Sequence, residues 1–154
     1  MSELSFREAR EEDLPAIIAM LADDAVGGKR ETVLAEGVDP AYLAAFRKIQ
    51  EQPGNRVMLV ERDGAPVGTY QLTIIQSLAR RGTRRAQIEA VRVNSKLRGG
   101  GIGEQMLRHA IEQAKQAGCN LVQLSSDKRR GRAHLFYERL GFIGTHIGFK
   151  LELN

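Results

Sequence analysis

A single cysteine, Cys119, stands in the 154 residues, so no internal disulfide can form and a reducing, cytoplasmic setting is expected. Aromatic residues make up 5% of the chain, and none lies inside either arginine cluster, Leu78 to Arg85 or Lys128 to Arg132. Readers of nucleic acid normally combine such clusters with stacking aromatics or a recognisable binding motif, so nucleic acid is disfavoured as a partner. Long apolar runs are missing too. Nothing approaches the roughly 20 residues that span a bilayer, so no membrane partner is expected. The start, Met1 to Ser5, lacks a basic segment followed by an apolar one, and no secretory leader is expected. The three histidines, His109, His134 and His146, lack close ligand spacing, so no metal is expected. Cys119, with no fixed histidine or asparagine partner, reads as structural rather than nucleophilic.

What is present is ordinary in bulk. Hydrophobic residues at 42% and charged ones at 27% describe a soluble globular chain, and its length suits one domain covering residues 1–154. The net charge of +4 would draw an anionic small molecule as readily as a polyanion.

Patterning gives a coarse map. Leu4 to Glu8 alternates as a strand. Acids and Pro15 open a helix with Ile17, Ile18 and Leu21 on its apolar face, stopped by Gly27-Gly28. Asp39-Pro40 caps a second helix carrying Leu43, Phe46 and Ile49, closed by Pro53-Gly54. Val57 to Val60 and Val67 to Ile75 read as strands joined at Asp63-Gly64. Ala86 to Ala90 alternates with period two, and the phase then slips, because Val91 and Val93 fall on the wrong face. A one-residue slip is what a β-bulge produces, although burial on both faces gives the same pattern. Glu104 to Ala117 carries a helical stripe of Met106, Leu107, Ala110, Ile111 and Ala114 ended by Gly118. Leu121 to Leu124 is a strand, Ala133 to Leu140 a short helix closed by Gly141, and Phe142 to Leu153 a final strand. The order β-α-α-β-β-β-α-β-α-β predicts a mixed α+β domain with helices on a sheet.

The chemical signal lies between strand and helix, in Val91-Arg92-Val93-Asn94-Ser95-Lys96-Leu97-Arg98-Gly99-Gly100-Gly101-Ile102-Gly103. Glycines allow positive φ and let a bulky anion approach backbone N–H groups. The helix start adds unpaired donors and its positive dipole end, and Arg98 adds a fixed charge suited to phosphate. A nucleoside-triphosphate loop would end in Gly-Lys-Ser/Thr, but Glu104 and Gln105 follow Gly103. A dinucleotide fingerprint needs a glycine where Met106 stands.

The remaining pattern, Arg-x-x-Gly-x-Gly at Arg98, Gly101 and Gly103, resembles the acetyl-CoA-binding motif of the GNAT superfamily of N-acetyltransferases. Ala133-His134-Leu135-Phe136-Tyr137-Glu138-Arg139-Leu140-Gly141-Phe142 resembles that family's later motif, and the element order covers nearly the whole chain. The resemblance implies a GNAT-like central mixed sheet flanked by helices. It implies acetyl-CoA held by Val91, Arg92, Val93, Arg98, Gly99, Gly100, Gly101, Ile102 and Gly103, with Ala133 and Phe136 from the later motif. The family often has asparagine where Arg130 stands; Arg130 is either a substitute cofactor contact or plain surface charge. The family also splays two parallel strands around the pantetheine arm, which the slip near Ala90 fits.

Resemblance places Tyr137 as the acid that protonates the departing thiolate; a packed core tyrosine is the alternative. Glu89, mid-strand beside the slip, is the candidate base, against a plain salt bridge to Arg84, Arg85 or Arg92. Ser125-Ser126-Asp127 is either a ligand contact or a turn. The acceptor implied is a primary amine of a small molecule; relatives also modify protein lysines and N-termini, and a non-catalytic acyl-CoA sensor or regulatory module is the reading from another class. Leu124 to Arg129 faintly resembles the equivalent stretch in aminoalkylphosphonate acetylators. Relatives commonly dimerise, and the sequence neither supports nor opposes a homodimer.

Overall fold

The structure, a computed structural model, describes residues 3–154. They form two compact units, one ending at Leu124 and the other spanning Ser125–Asn154. The first holds β1 (Leu4–Glu8), α1 (Leu14–Ala22), α2 (Pro40–Glu51), β2 (Asn55–Arg62), β3 (Ala65–Gln76), a single turn α3 (Ala79–Gly82), β4 (Arg84–Val93), α4 (Ile102–Gln116) and β5 (Leu121–Leu124). The second holds α5 (Gly131–Arg139).

The five strands lie in chain order, β1-β2-β3-β4-β5. β1 to β4 are antiparallel and β5 joins β4 in parallel, giving the expected mixed sheet. Asp63 and Gly64, at φ 52° and 76°, supply the two left-handed residues that a tight hairpin between β2 and β3 demands. Asp39 caps α2 through its side chain, which accepts from Ala41 N at 2.9 Å, as the Asp-Pro pair predicts.

Period two sorts the strand residues onto two faces. On one, Leu59 joins Leu14, Ile17, Ile18, Met20 and Phe46 in a buried cluster under α1 and α2. On the other, Tyr70, Leu72, Ala86 and Ile88 are buried against α4, whose Met106, Leu107, Ala110 and Ala114 are equally buried. Gly68 sets how closely α4 approaches: a Cβ there would lie 2.6 Å from Met106 Sδ and 3.1 Å from the Arg92 carbonyl oxygen. No larger residue fits that contact without movement.

A part-buried polar pair ties α4 to the sheet. The Tyr70 hydroxyl meets His109 Nδ1 at 2.8 Å, and the His109 ring stacks on Phe6 with centroids 4.0 Å apart. Burial, followed by the charge of Arg56, lowers the His109 pKa, and burial raises that of Tyr70. The unfolded chain therefore takes up a proton on His109 near pH 6.5 while the folded chain resists it. Stability is expected to be fully present above about pH 6.5 and to decline as pH falls from there through the lower folded value. Thermal melts at stepped pH should show this slope, and His109→Gln should flatten it.

One element departs from expectation. Phe142 to Leu153 is not a strand: these residues belong to no helix or strand, and Ile147, Phe149, Leu151 and Leu153 are 81%, 92%, 85% and 87% exposed. Their alternation is genuine strand patterning, but a strand exists only through a hydrogen-bonded neighbour, and here none is paired. In the same unit α5 ends as predicted, with Gly141 at φ 98° and Phe142 N donating to the Tyr137 carbonyl at 3.1 Å.

Candidate functional site

The phase slip in the fourth strand is a β-bulge. Thr69 pairs with Arg92 and Gln71 with Glu89, so Tyr70 faces both Ala90 and Val91. Ala90 takes φ 53°, a left-handed value that an L-residue adopts only under constraint. The kink leaves Glu89 and Ala90 exposed. It also marks where the parallel ladder ends: β5 pairs with Arg85 to Ile88 and no further. From Glu89 to Val93 the β5-facing edge of β4 has no strand beside it among the described residues. Backbone N–H and C=O groups along such an edge offer themselves to an extended ligand.

At the end of that edge the glycine loop turns into α4. Gly99 and Gly101 have φ of 86° and 81°, and a Cβ at either would meet nothing within 4 Å. The loop is therefore open on the side where side chains would stand. Gly101 is the N-cap of α4, and no side chain caps the helix, so its first amides keep their donors for an anion. Glu104 in that first turn is exposed and drawn toward Arg108, at 2.9 Å one turn on, rather than into the loop.

Arg98 is held beside the loop by two carbonyls: its Nε donates to Val93 O at 3.3 Å and its Nη2 to Asp23 O at 3.0 Å. Both partners are neutral, so the guanidinium keeps its charge for a phosphate. Arg92 is different. It donates to Asp24 Oδ2 at 2.9 Å from a largely buried position, and so fixes the end of α1 against β4. Sequence reasoning misses Asp23 and Asp24, because only the fold brings the end of α1 to the end of β4.

Glu89 makes no ion pair among the described residues. Of the arginines weighed as alternative partners, Arg92 pairs with Asp24, Arg84 donates to the Ala117 carbonyl at 2.8 Å, and Arg85 donates to the Ser77 hydroxyl. An exposed, unpaired carboxylate beside a bulge can take a proton from a ligand or a water.

Cys119 is half-buried, and burial pushes its thiol pKa up, which disfavours the nucleophilic thiolate.

In the second unit, Ala133, Phe136 and Tyr137 lie on α5 and Arg130 at its start. The Tyr137 ring packs edge-on to Phe142 at 6.0 Å and tilted to Phe136 at 5.4 Å. Asp127 forms a turn: its carboxylate accepts from Arg129 N and Nε, each at 2.9 Å, and from Arg129 Nη2 at 2.7 Å. Those bonds hold its carboxyl well below the usual range.

The profile of the Acetyltransferase (GNAT) family matches residues 14–142. The chain is 29% identical over 154 residues to the aminoalkylphosphonate N-acetyltransferase of Salmonella typhimurium, covering 99% of this chain and 94% of that one. It is 28% identical over 151 residues to the glucosamine 6-phosphate N-acetyltransferase of Trypanosoma brucei brucei, covering 98% and 97%. Among solved structures it matches a transcriptional regulator from Bacillus halodurans C-125 with TM-score 0.93 and 41% identity, over 98% of this chain and 100% of that one.

Proposed function

The chain belongs to the acetyltransferase (GNAT) family and is an N-acetyltransferase, and from that premise we propose that it moves an acetyl group from acetyl-CoA to the primary amine of a small anionic molecule. The observation that carries the donor reading is the open loop at Gly99 and Gly101. Its left-handed backbone leads into an uncapped helix start, and Arg98 stands beside it. A diphosphate needs N–H donors, clearance and a fixed positive charge, and these residues supply all three. The bare edge of β4 at Val91 to Val93 suits the amide-bearing arm that follows a diphosphate in coenzyme A. Ala133, Phe136 and Arg130 would complete donor binding from the later motif.

Chemistry follows from the groups named. An alkylamine with pKa near about 10 is mostly protonated at neutral pH. Glu89, directly or through water, takes that proton; the freed amine attacks the thioester carbon, forming C–N. Backbone N–H groups of Val91 to Val93 hold the oxygen as it gains charge. The C–S bond then breaks, the Tyr137 hydroxyl protonates the leaving thiolate, and the second proton of the attacking nitrogen leaves to water, from which the Tyr137 phenolate is reprotonated. Residues 1–154 act together as one N-acetyltransferase domain in this reading, and the single cysteine supports a cytoplasmic setting.

The anionic acceptor rests on the net positive charge and on two relatives whose named substrates carry a phosphonate or a phosphate. A panel of amines, incubated with acetyl-CoA while free coenzyme A is followed, tests it. Phosphonate- or phosphate-bearing amines should give the highest kcat/KM; turnover confined to neutral amines or to peptide lysines would overturn the acceptor class. A second reading, an acyl-CoA-responsive regulator, draws on the Bacillus halodurans relative. It predicts that acetyl-CoA binds while no amine in the panel releases coenzyme A.

A further inference from the structure

The face of the sheet opposite α4 changes character along its length. At Val57 and Leu59 of β2 it is apolar and packs with α1 and α2. Further on it carries Asn55, Gln71, Thr73, Gln87 and Gln123, all half-buried. Cross-strand register makes these one surface: Asn55 faces Thr73, Thr73 faces Gln87, Gln71 faces Glu89, and Gln87 faces Gln123. A strand face meant to pack on a helix would be apolar at such positions, as the opposite face is at Leu72, Ala86 and Ile88.

These side chains are also oriented. Asn55 Oδ1 accepts from Gln71 Nε2 at 2.9 Å and from Thr73 Oγ1 at 3.3 Å. Gln87 Oε1 accepts from Gln123 Nε2 at 2.8 Å. With those groups engaged, Gln71 Oε1 remains as an acceptor and Gln87 Nε2 as a donor. Strand alternation puts Arg85, Gln87 and Glu89 on this same face. Arg85 is half-buried between Ile75 and Leu121 in the register, donates to the neutral Ser77 hydroxyl, and makes no ion pair among the described residues.

We infer that Arg85, Gln87 and Gln71 form the acceptor subsite, with Arg85 anchoring a phosphate or phosphonate and the amine lying at the Glu89 end. This rests on the transferase reading above and adds which residues choose the substrate. Arg85 and Glu89 are separated by roughly 13 Å of strand, at about 3.3 Å per residue. Two side chains reaching toward each other leave roughly half that distance, the span of a short aminoalkyl phosphonate or a phosphorylated amino sugar. Gln71 and Gln87 lie between and would meet its hydroxyls or the amine.

The test compares 2-aminoethylphosphonate with n-propylamine, which has the same reach and no anionic head, using acetyl-CoA as donor. Arg85→Gln should raise KM for the phosphonate on the order of tenfold or more, as removing a bond to a charged group does, with kcat changed less than about twofold. Turnover of n-propylamine and binding of coenzyme A should stay as in the unaltered protein, which also shows that the variant is folded. Arg85→Lys should recover part of the loss, and Arg80→Gln, an exposed neighbour, should have no effect. If Arg85→Gln slows both amines equally, or if the unaltered protein does not prefer the phosphonate, the subsite assignment is wrong while the transferase reading stands. If the unaltered protein acetylates neither amine nor any other in the panel, both readings fall together.

Discussion

Gly101→Val is expected to weaken coenzyme A binding by about tenfold to a hundredfold. Two effects combine. Gly101 sits at φ 81°, where a β-branched residue costs on the order of 1–3 kcal/mol of backbone strain. A branched side chain would also fill space that is empty to 4 Å, the space through which an anion reaches the first amides of α4. Relaxing the strain would move the N-cap and turn those amides away. Strain by itself is separable from the loss of the cradle, because Gly118 at the other end of the helix has φ 79° and the same clearance. Gly118→Val should therefore lower the melting temperature comparably and leave coenzyme A affinity intact. Calorimetric titration of both variants decides it. Equal affinities for coenzyme A in Gly101→Val and the unaltered protein would remove the diphosphate cradle, and with it the donor assignment.

Tyr137→Phe is expected to reduce kcat by roughly 10²- to 10⁴-fold, the usual worth of a positioned general acid, while coenzyme A binds as before. The substitution is conservative where structure is concerned. The ring keeps its contacts with Phe136 and Phe142, so only the hydroxyl is lost. If Tyr137 is instead a packing residue, turnover should persist within a few-fold. The same variant separates the enzyme from the regulator, since an acyl-CoA sensor has no step for that hydroxyl. A leaving group that departs without help, such as a thiophenol ester in place of acetyl-CoA, should restore much of the loss in Tyr137→Phe and little in Glu89→Gln. That contrast distinguishes protonation of the leaving sulfur from deprotonation of the amine.

Helices α2, α4 and α5 are legible in the amino-acid sequence because their caps and stripes act within a few residues: Asp39-Pro40 for α2, the Met106-to-Ala114 stripe for α4, and Gly141 for the end of α5; α1 ends at Ala22, before the Gly27-Gly28 stop expected for it. The bulge is legible as well. A slip in a period-two pattern is a local property of the chain, and Ala90 at φ 53° is its physical form. The expected final strand fails for the same reason turned around. Ile147, Phe149, Leu151 and Leu153 carry strand alternation, but a strand also requires a neighbour, and alternation contains no information about one.

For this protein, then, sequence alone determined the order of the main strands and helices as far as α5, the glycine loop with Arg98 beside it, and the family to which these motifs point, because each is written in short stretches of neighbouring residues. Tertiary structure decided what those stretches face. It brought Asp23 and Asp24 from the end of α1 to Arg98 and Arg92, turned Arg84, Arg85 and Arg92 to partners other than Glu89, and gathered Asn55, Gln71 and Gln87 from three strands into one polar surface. Contacts between residues far apart in the chain depend on strand register and helix placement, which only the packing of the whole sheet specifies.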